Sequence, residues 1–79
     1  MGYKKRNKND VWLRKLSVGE RSETITNPFS GKKVELSPLE VAVYDYIKGA
    51  EMLGIHRAVE RGRDWFISNN IKAYMALLD

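Results

Sequence analysis

The sequence contains no cysteine. That excludes disulfide scaffolds, cysteine-based zinc and iron–sulfur sites, and thiol nucleophiles. Histidine occurs once, as His56, so one chain assembles neither a His-based metal site nor a conventional catalytic triad. Proline occurs only at positions 28 and 38. No Pro-rich or Gly/Ser-rich stretch marks a linker to a second domain. No uncharged run approaches the roughly 20 apolar residues that a membrane span requires. The basic residues near the start are not followed by the apolar run of a secretory signal. Together these absences point to a small cytoplasmic protein.

What remains is 79 residues of globular composition, 43% hydrophobic and 30% charged, enough for one domain. A single core of this size supplies only a few kcal/mol of net stability. With no covalent or metal staple, the rest must come from tight helix packing or self-association. An active-site cavity would subtract from that small core, so size argues against catalysis as well.

Charge is unevenly placed. Residues 1–36 carry nine Lys/Arg against four Asp/Glu, and residues 37–79 carry five against six. Much of the excess lies in residues 1–10, where Lys4, Lys5, Arg6 and Lys8 face only Asp10. That stretch has no apolar period and reads as a flexible basic arm preceding a single domain over 11–79.

Residues 11–16 (Val-Trp-Leu-Arg-Lys-Leu) are too short to assign by period and fit an edge strand or a helical turn. Glu23–Thr26 and Lys33–Leu36 are β-prone. Between them, Asn27-Pro28-Phe29-Ser30-Gly31 offers a proline to set a turn and a glycine to take positive φ, so a β-hairpin is expected. Ser37-Pro38-Leu39-Glu40 is a helix start with Ser at the N-cap, Pro at N1 and Glu at N3. That helix should run to about Leu53 and stop or bend at Gly54. A second should cover about 55–68, with Asn69-Asn70 as its end, and a short third should cover 71–78. The fold class expected is α+β, a hairpin packed on three helices, with a third strand from 11–16 left open.

The first helix carries two apolar stripes. Leu39, Val43, Tyr46, Ile47, Ala50 and Leu53 form one; Val41, Tyr44, Met52 and Ile55 form the opposite one. Either both sides are packed within the domain, or one stripe is an interface. The second helix has one stripe, Ile55, Ala58, Val59, Gly62, Trp65 and Phe66. Gly62 within it suggests close backbone approach. The last helix stays apolar to the end through Ile71, Tyr74, Met75 and Leu78, which implies docking on the core or on another subunit.

No catalytic constellation forms. Gly31-Lys32-Lys33 lacks both the upstream glycine and the Ser/Thr of a phosphate loop. Glu40 and Asp45 do not share a helix face, and His56 has no nucleophile or orienting group nearby in sequence. The run Ala50–Arg57 resembles a helix–turn–helix turn, but Glu60 and Arg63 stand where that motif wants an apolar and an aromatic residue. The chain is therefore expected to be a non-enzymatic protein-binding module without cofactor or metal. Its anchors would be Phe29 at the hairpin tip with Val41, Tyr44, Met52 and Ile55, and a second copy is one eligible partner. The alternative is nucleic-acid binding through Lys4, Lys5, Arg6, Lys8, Trp12, Lys32 and Lys33, the cations meeting phosphates and Trp12 a base.

Taken together, Ile25–Gly31, Leu36–Asp45, Asp64-Trp65-Phe66 and Ala73–Asp79 resemble small uncharacterised proteins of tailed bacteriophages, over roughly residues 25–79. The resemblance implies a host-cytoplasm setting and a role in takeover, counter-defence or virion assembly. It brings no activity and no functional residues with it.

Overall fold

The protein is described by a computed structural model covering residues 8–79. A 3₁₀ helix at Lys8–Lys15 precedes strands β1 (Glu23–Thr26) and β2 (Lys33–Leu36). Helices α1 (Pro38–Leu53) and α2 (His56–Asn69) follow, then a short α3 (Ile71–Ala73) that runs on as π-helical Tyr74–Leu78. The fold is α+β, as expected. No third strand forms among the described residues: the sheet has two strands, and residues 11–15 belong to the 3₁₀ helix. That conformation turns Trp12, Leu13 and Leu16 onto the core, where a flat edge strand would place alternate residues on opposite faces.

The hairpin is antiparallel, with Ile25 opposite Val34 and Glu23 opposite Leu36. Cross-strand partners share a face. Ile25 and Val34 are thereby placed beside Leu36, which is fully buried, while Thr24, Thr26, Lys33 and Glu35 take the outer face. The turn is closed as the sequence suggests, with Gly31 at φ 79°.

β2 passes directly into α1 through a complete capping box. Ser37 Oγ accepts from the Glu40 N–H at 3.3 Å, and Glu40 Oε1 accepts from the Ser37 N–H at 2.9 Å. At the other end Gly54 takes a left-handed conformation, φ 73°. The Ile55 N–H returns to the Ala50 carbonyl at 2.9 Å and the Gly54 N–H to Glu51 at 3.2 Å. A glycine terminates a helix this way because it lacks the Cβ that opposes positive φ.

The two-residue corner sends α2 back antiparallel to α1. Gly62 lies against Ile47 in the middle of the pair. At the far end Asn70 Nδ2 donates to Glu40 Oε2 at 2.9 Å. Contact at both places, about 10 Å apart along α1 at 1.5 Å per residue, defines a helical hairpin. The steep crossing of a helix–turn–helix is therefore absent. A Cβ on Gly62 would stand 2.8 Å from Ile47 Cδ1 and closer still to Cγ1. The expected close approach is present.

Leu36, Val43, Ile47, Phe66, Ala73 and Leu77 form the core. Both stripes of α1 lean on it in part: Val43, Ile47 and Ala50 are buried, and Val41 and Tyr44 are half-buried at its margin. Leu53, expected in the core, is 75% exposed, because no element continues past the corner to cover it. The terminal segment is docked on its own domain by Ala73, Leu77, Tyr74 and Leu78, leaving Ile71 and Met75 outside. It departs from the expected α-helix at Tyr74, whose carbonyl accepts from the Asp79 N–H five residues on.

The two helical glycines give opposite expectations. A Cβ on Gly49 meets no heavy atom within 4 Å, so Gly49→Ala should gain up to about 1 kcal/mol from helix propensity. Gly62→Ala should lose about 1–3 kcal/mol by overpacking Ile47. In an Ile47→Ala background the second change should become stabilising, which denaturant unfolding of the four variants will read.

Candidate functional site

The hairpin turn is an exposed feature organised by its own hydrogen bonds. Asn27 is its hub. Its Oδ1 accepts from the Phe29 N–H at 2.8 Å and from the Ser30 N–H at 3.3 Å. Its backbone N–H donates to the Lys32 carbonyl, and its carbonyl accepts from the Gly31 N–H, each at 2.8 Å. Ser30 Oγ accepts from the Lys32 N–H at 3.2 Å. Asparagine does this readily because its short side-chain carbonyl reaches backbone N–H groups two and three residues on.

The other half of the same amide fastens the turn to the body. Asn27 Nδ2 donates to the Ala76 carbonyl at 2.9 Å, spanning 49 positions of sequence. The turn is thus closed internally and anchored externally. On it stands Phe29, 97% exposed. Pro28 precedes it, Lys32 and Lys33 follow, and all three are exposed. No acidic residue occurs between Asn27 and Val34.

The other expected protein-binding residues do not gather around Phe29. Tyr44 is half-buried, with the Lys48 ammonium 5.4 Å from its ring centre. Val41 lines an open groove of about 530 Å³ between the 17–23 loop and α1. Met52 and Ile55 are exposed at the α1–α2 corner, and Met52 stands about 16 Å from Val41 along the helix axis. The structure divides the five residues among three places.

Of the nucleic-acid set, Lys4, Lys5 and Arg6 lie outside the described residues. Lys8 opens the 3₁₀ helix. Trp12 is half-buried and stacks on Tyr46, ring centres 4.9 Å apart, with the Arg61 guanidinium 5.8 Å from its ring centre. That contact holds the 3₁₀ helix onto the helical hairpin and occupies one face of the indole. Lys32 and Lys33 share the hairpin with Phe29 but lie 20 or more positions from the other cations of the set.

The groove beside Val41 brings together Glu20, Glu23, Asp45, Arg21 and Ser17. Its described lining has carboxylates and a hydroxyl but no imidazole to activate one. Among the described residues no group of His, Asp and Glu is placed to hold a metal ion, and no helix is long and apolar enough to cross a membrane. His56 is exposed at the start of α2. Arg63 Nη2 donates to Tyr74 Oη at 2.9 Å. That bond ties α2 to the terminal segment and raises the Arg63 pKa.

No protein-family model, no curated protein and no solved structure matches this chain.

Phe29 is legible in the sequence as the residue at the hairpin tip, but the role of Asn27, which presents it, is not. The Asn-Pro step was a visible turn signal; its reach to Ala76 was not. Substituting Asn27 by Ala should cost about 1–3 kcal/mol, since it orphans the turn's N–H groups and the Ala76 carbonyl. Phe29→Ala should leave stability within about 0.5 kcal/mol of the parent. Thermal unfolding of the two variants will separate the holder from the held.

Proposed function

We propose that this chain is a non-enzymatic protein-binding module whose principal anchor is Phe29. One observation carries the reading: a phenylalanine that is 97% exposed on a turn whose backbone is already hydrogen-bonded in place. Burying such a ring in a partner is worth about 1.5–3 kcal/mol. Because the turn is ordered beforehand, little of that gain is spent on ordering a loop.

The surroundings define the complementary surface. Phe29 calls for an apolar pocket, and Lys32 and Lys33 call for carboxylates on its rim. A nucleic-acid site is less well served here. At the turn itself two lysines neutralise few phosphates and one ring gives no run of successive stacking platforms; Lys4, Lys5 and Arg6 lie outside the described residues. The resemblance to tailed-bacteriophage proteins is the ground for seeking the partner among host or virion proteins, in the host cytoplasm.

The test places a photo-reactive benzoyl-phenylalanine at position 29, and separately at exposed Lys72, in cells producing the full chain. Position 29 should give a discrete protein adduct that position 72 does not. Excess parent protein should compete the adduct away, and Phe29→Ala should compete at least tenfold less well, as a binding hot spot requires. Adducts to nucleic acid, or the same adducts from both positions, would overturn the reading.

A further inference from the structure

The two-stranded sheet has an open side. The Asn27 N–H donates to the Lys32 carbonyl at 2.8 Å, in line with the register of the strands. Hydrogen-bonded pairs recur at every second residue of an antiparallel ladder. Ile25 with Val34 and Glu23 with Leu36 therefore carry the bonds between β1 and β2, and the N–H and C=O groups of Thr24 and Thr26 point away from β2. Among the described residues no hydrogen bond reaches those groups. Both threonines are exposed. It is β2 that packs on α1 and the terminal segment, which leaves β1 as the outer strand.

Edge strands are commonly blunted by a lysine, a proline or a bulge. β1 reads Glu-Thr-Ile-Thr and pairs with β2 in unbroken register, so it has none of the three. Its three β-branched residues are stiff and suited to the extended conformation. Outward N–H and C=O groups repeating about every 6.8 Å, two residues along a strand, are matched by another extended backbone.

The residues of β1 choose which backbone. A two-fold axis at Ile25 sets Thr24 opposite Thr26 of the second copy, and Thr26 opposite Thr24. These are the residues whose backbone groups point outward, so both pairs exchange their N–H···O=C bonds. Threonine opposite threonine is also a favourable cross-strand pair. On the core-facing side Ile25 meets Ile25. That side chain is only half-buried within one copy, and its counterpart covers the remainder. Glu23, the one charge on the strand, comes opposite Asn27, so no like charges are opposed. Moving the axis to Thr24 would set Glu23 against Ile25, which disfavours the neighbouring register.

We propose that the free edge of β1 is where a second copy of this chain docks, the two hairpins merging into one antiparallel sheet of four strands. Each copy's open backbone groups are satisfied by the same groups of the other, as two-fold symmetry requires. The gain is greatest for a sheet that has only two strands of its own, since so small a sheet is marginal without further strands or a helix against it. Two strands of four residues bury less than a standard interface, so the dimer forms at high concentration. Phe29 lies beyond the paired residues, and the pairing does not rest on the role proposed for it.

Sedimentation equilibrium of the full chain, over a hundredfold range reaching about 1 mM, tests this. The parent should pass from monomer toward dimer mass. Thr24→Pro removes an outward N–H that the β1–β2 ladder does not use, as edge positions allow. With its fold verified by circular dichroism, it should weaken dimerisation at least tenfold, whereas Thr24→Val should change it by less than threefold. Amide hydrogen exchange of the parent supplies a second reading that needs no variant. The Thr24 and Thr26 amides should exchange at least tenfold more slowly in concentrated than in dilute protein. A monomer at every concentration overturns the proposal. So does a dimer in which those two amides exchange as freely as in the monomer, or one that a folded Thr24→Pro variant forms as well as the parent.

Discussion

The structure depends on how closely α1 and α2 approach. Gly62 lies against the Ile47 side chain where any larger residue would meet it. Ile47 and Phe66 are fully buried along the same seam. A chain this short has no second core to fall back on, and its core consists of a few mid-sized side chains. Close approach is how so few residues exclude water: removing one Cβ brings two helices together and lets Ile47 fill the space. The same seam positions everything attached to it. Trp12 stacks on Tyr46 of α1 and carries the 3₁₀ helix with it. Leu36 reaches the core from the hairpin and leads straight into α1.

Two asparagines extend that organisation beyond the apolar core. Asn70 accepts from the Ala73 N–H, capping α3, and donates to Glu40, which is already part of the α1 capping box. The start of α1 and the junction of α2 with α3 are thereby joined through one carboxylate. Asn27 performs the corresponding task for the hairpin, holding its turn on one side and Ala76 on the other. Both bonds are partly shielded from water, so their loss would leave groups without good substitutes. The backbone beneath the exposed aromatic is held by this polar anchoring, since Phe29 itself touches solvent almost everywhere.

Among the apolar side chains left outside are one ring on the hairpin turn and three aliphatic side chains on the α1–α2 corner, at separate places. They differ in electrostatic setting. The turn carries two lysines and no acid, whereas the corner is balanced. A positively charged anchor suits an acidic partner.

Local signals in the chain are legible wherever the deciding contacts are local. Ser37-Pro38-Leu39-Glu40 specifies a capped helix start through atoms three residues apart, Gly54 stops the helix by its own freedom at positive φ, and Asn27 to Gly31 closes a turn within itself. The 3₁₀ conformation of residues 8–15, the exposure of Leu53, the π-helical end and the reach of Asn27 to Ala76 were not legible. Each depends on a surface assembled from distant segments: Trp12 needs Tyr46 beside it, and Leu53 is bare only because α2 turns back before covering it. Sequence by itself determined the element types, the caps, the turn and the absence of thiol chemistry, because these follow from residue identity and short-range geometry. Tertiary structure alone decided which apolar side chains were left over, because burial depends on where other parts of the chain come to rest.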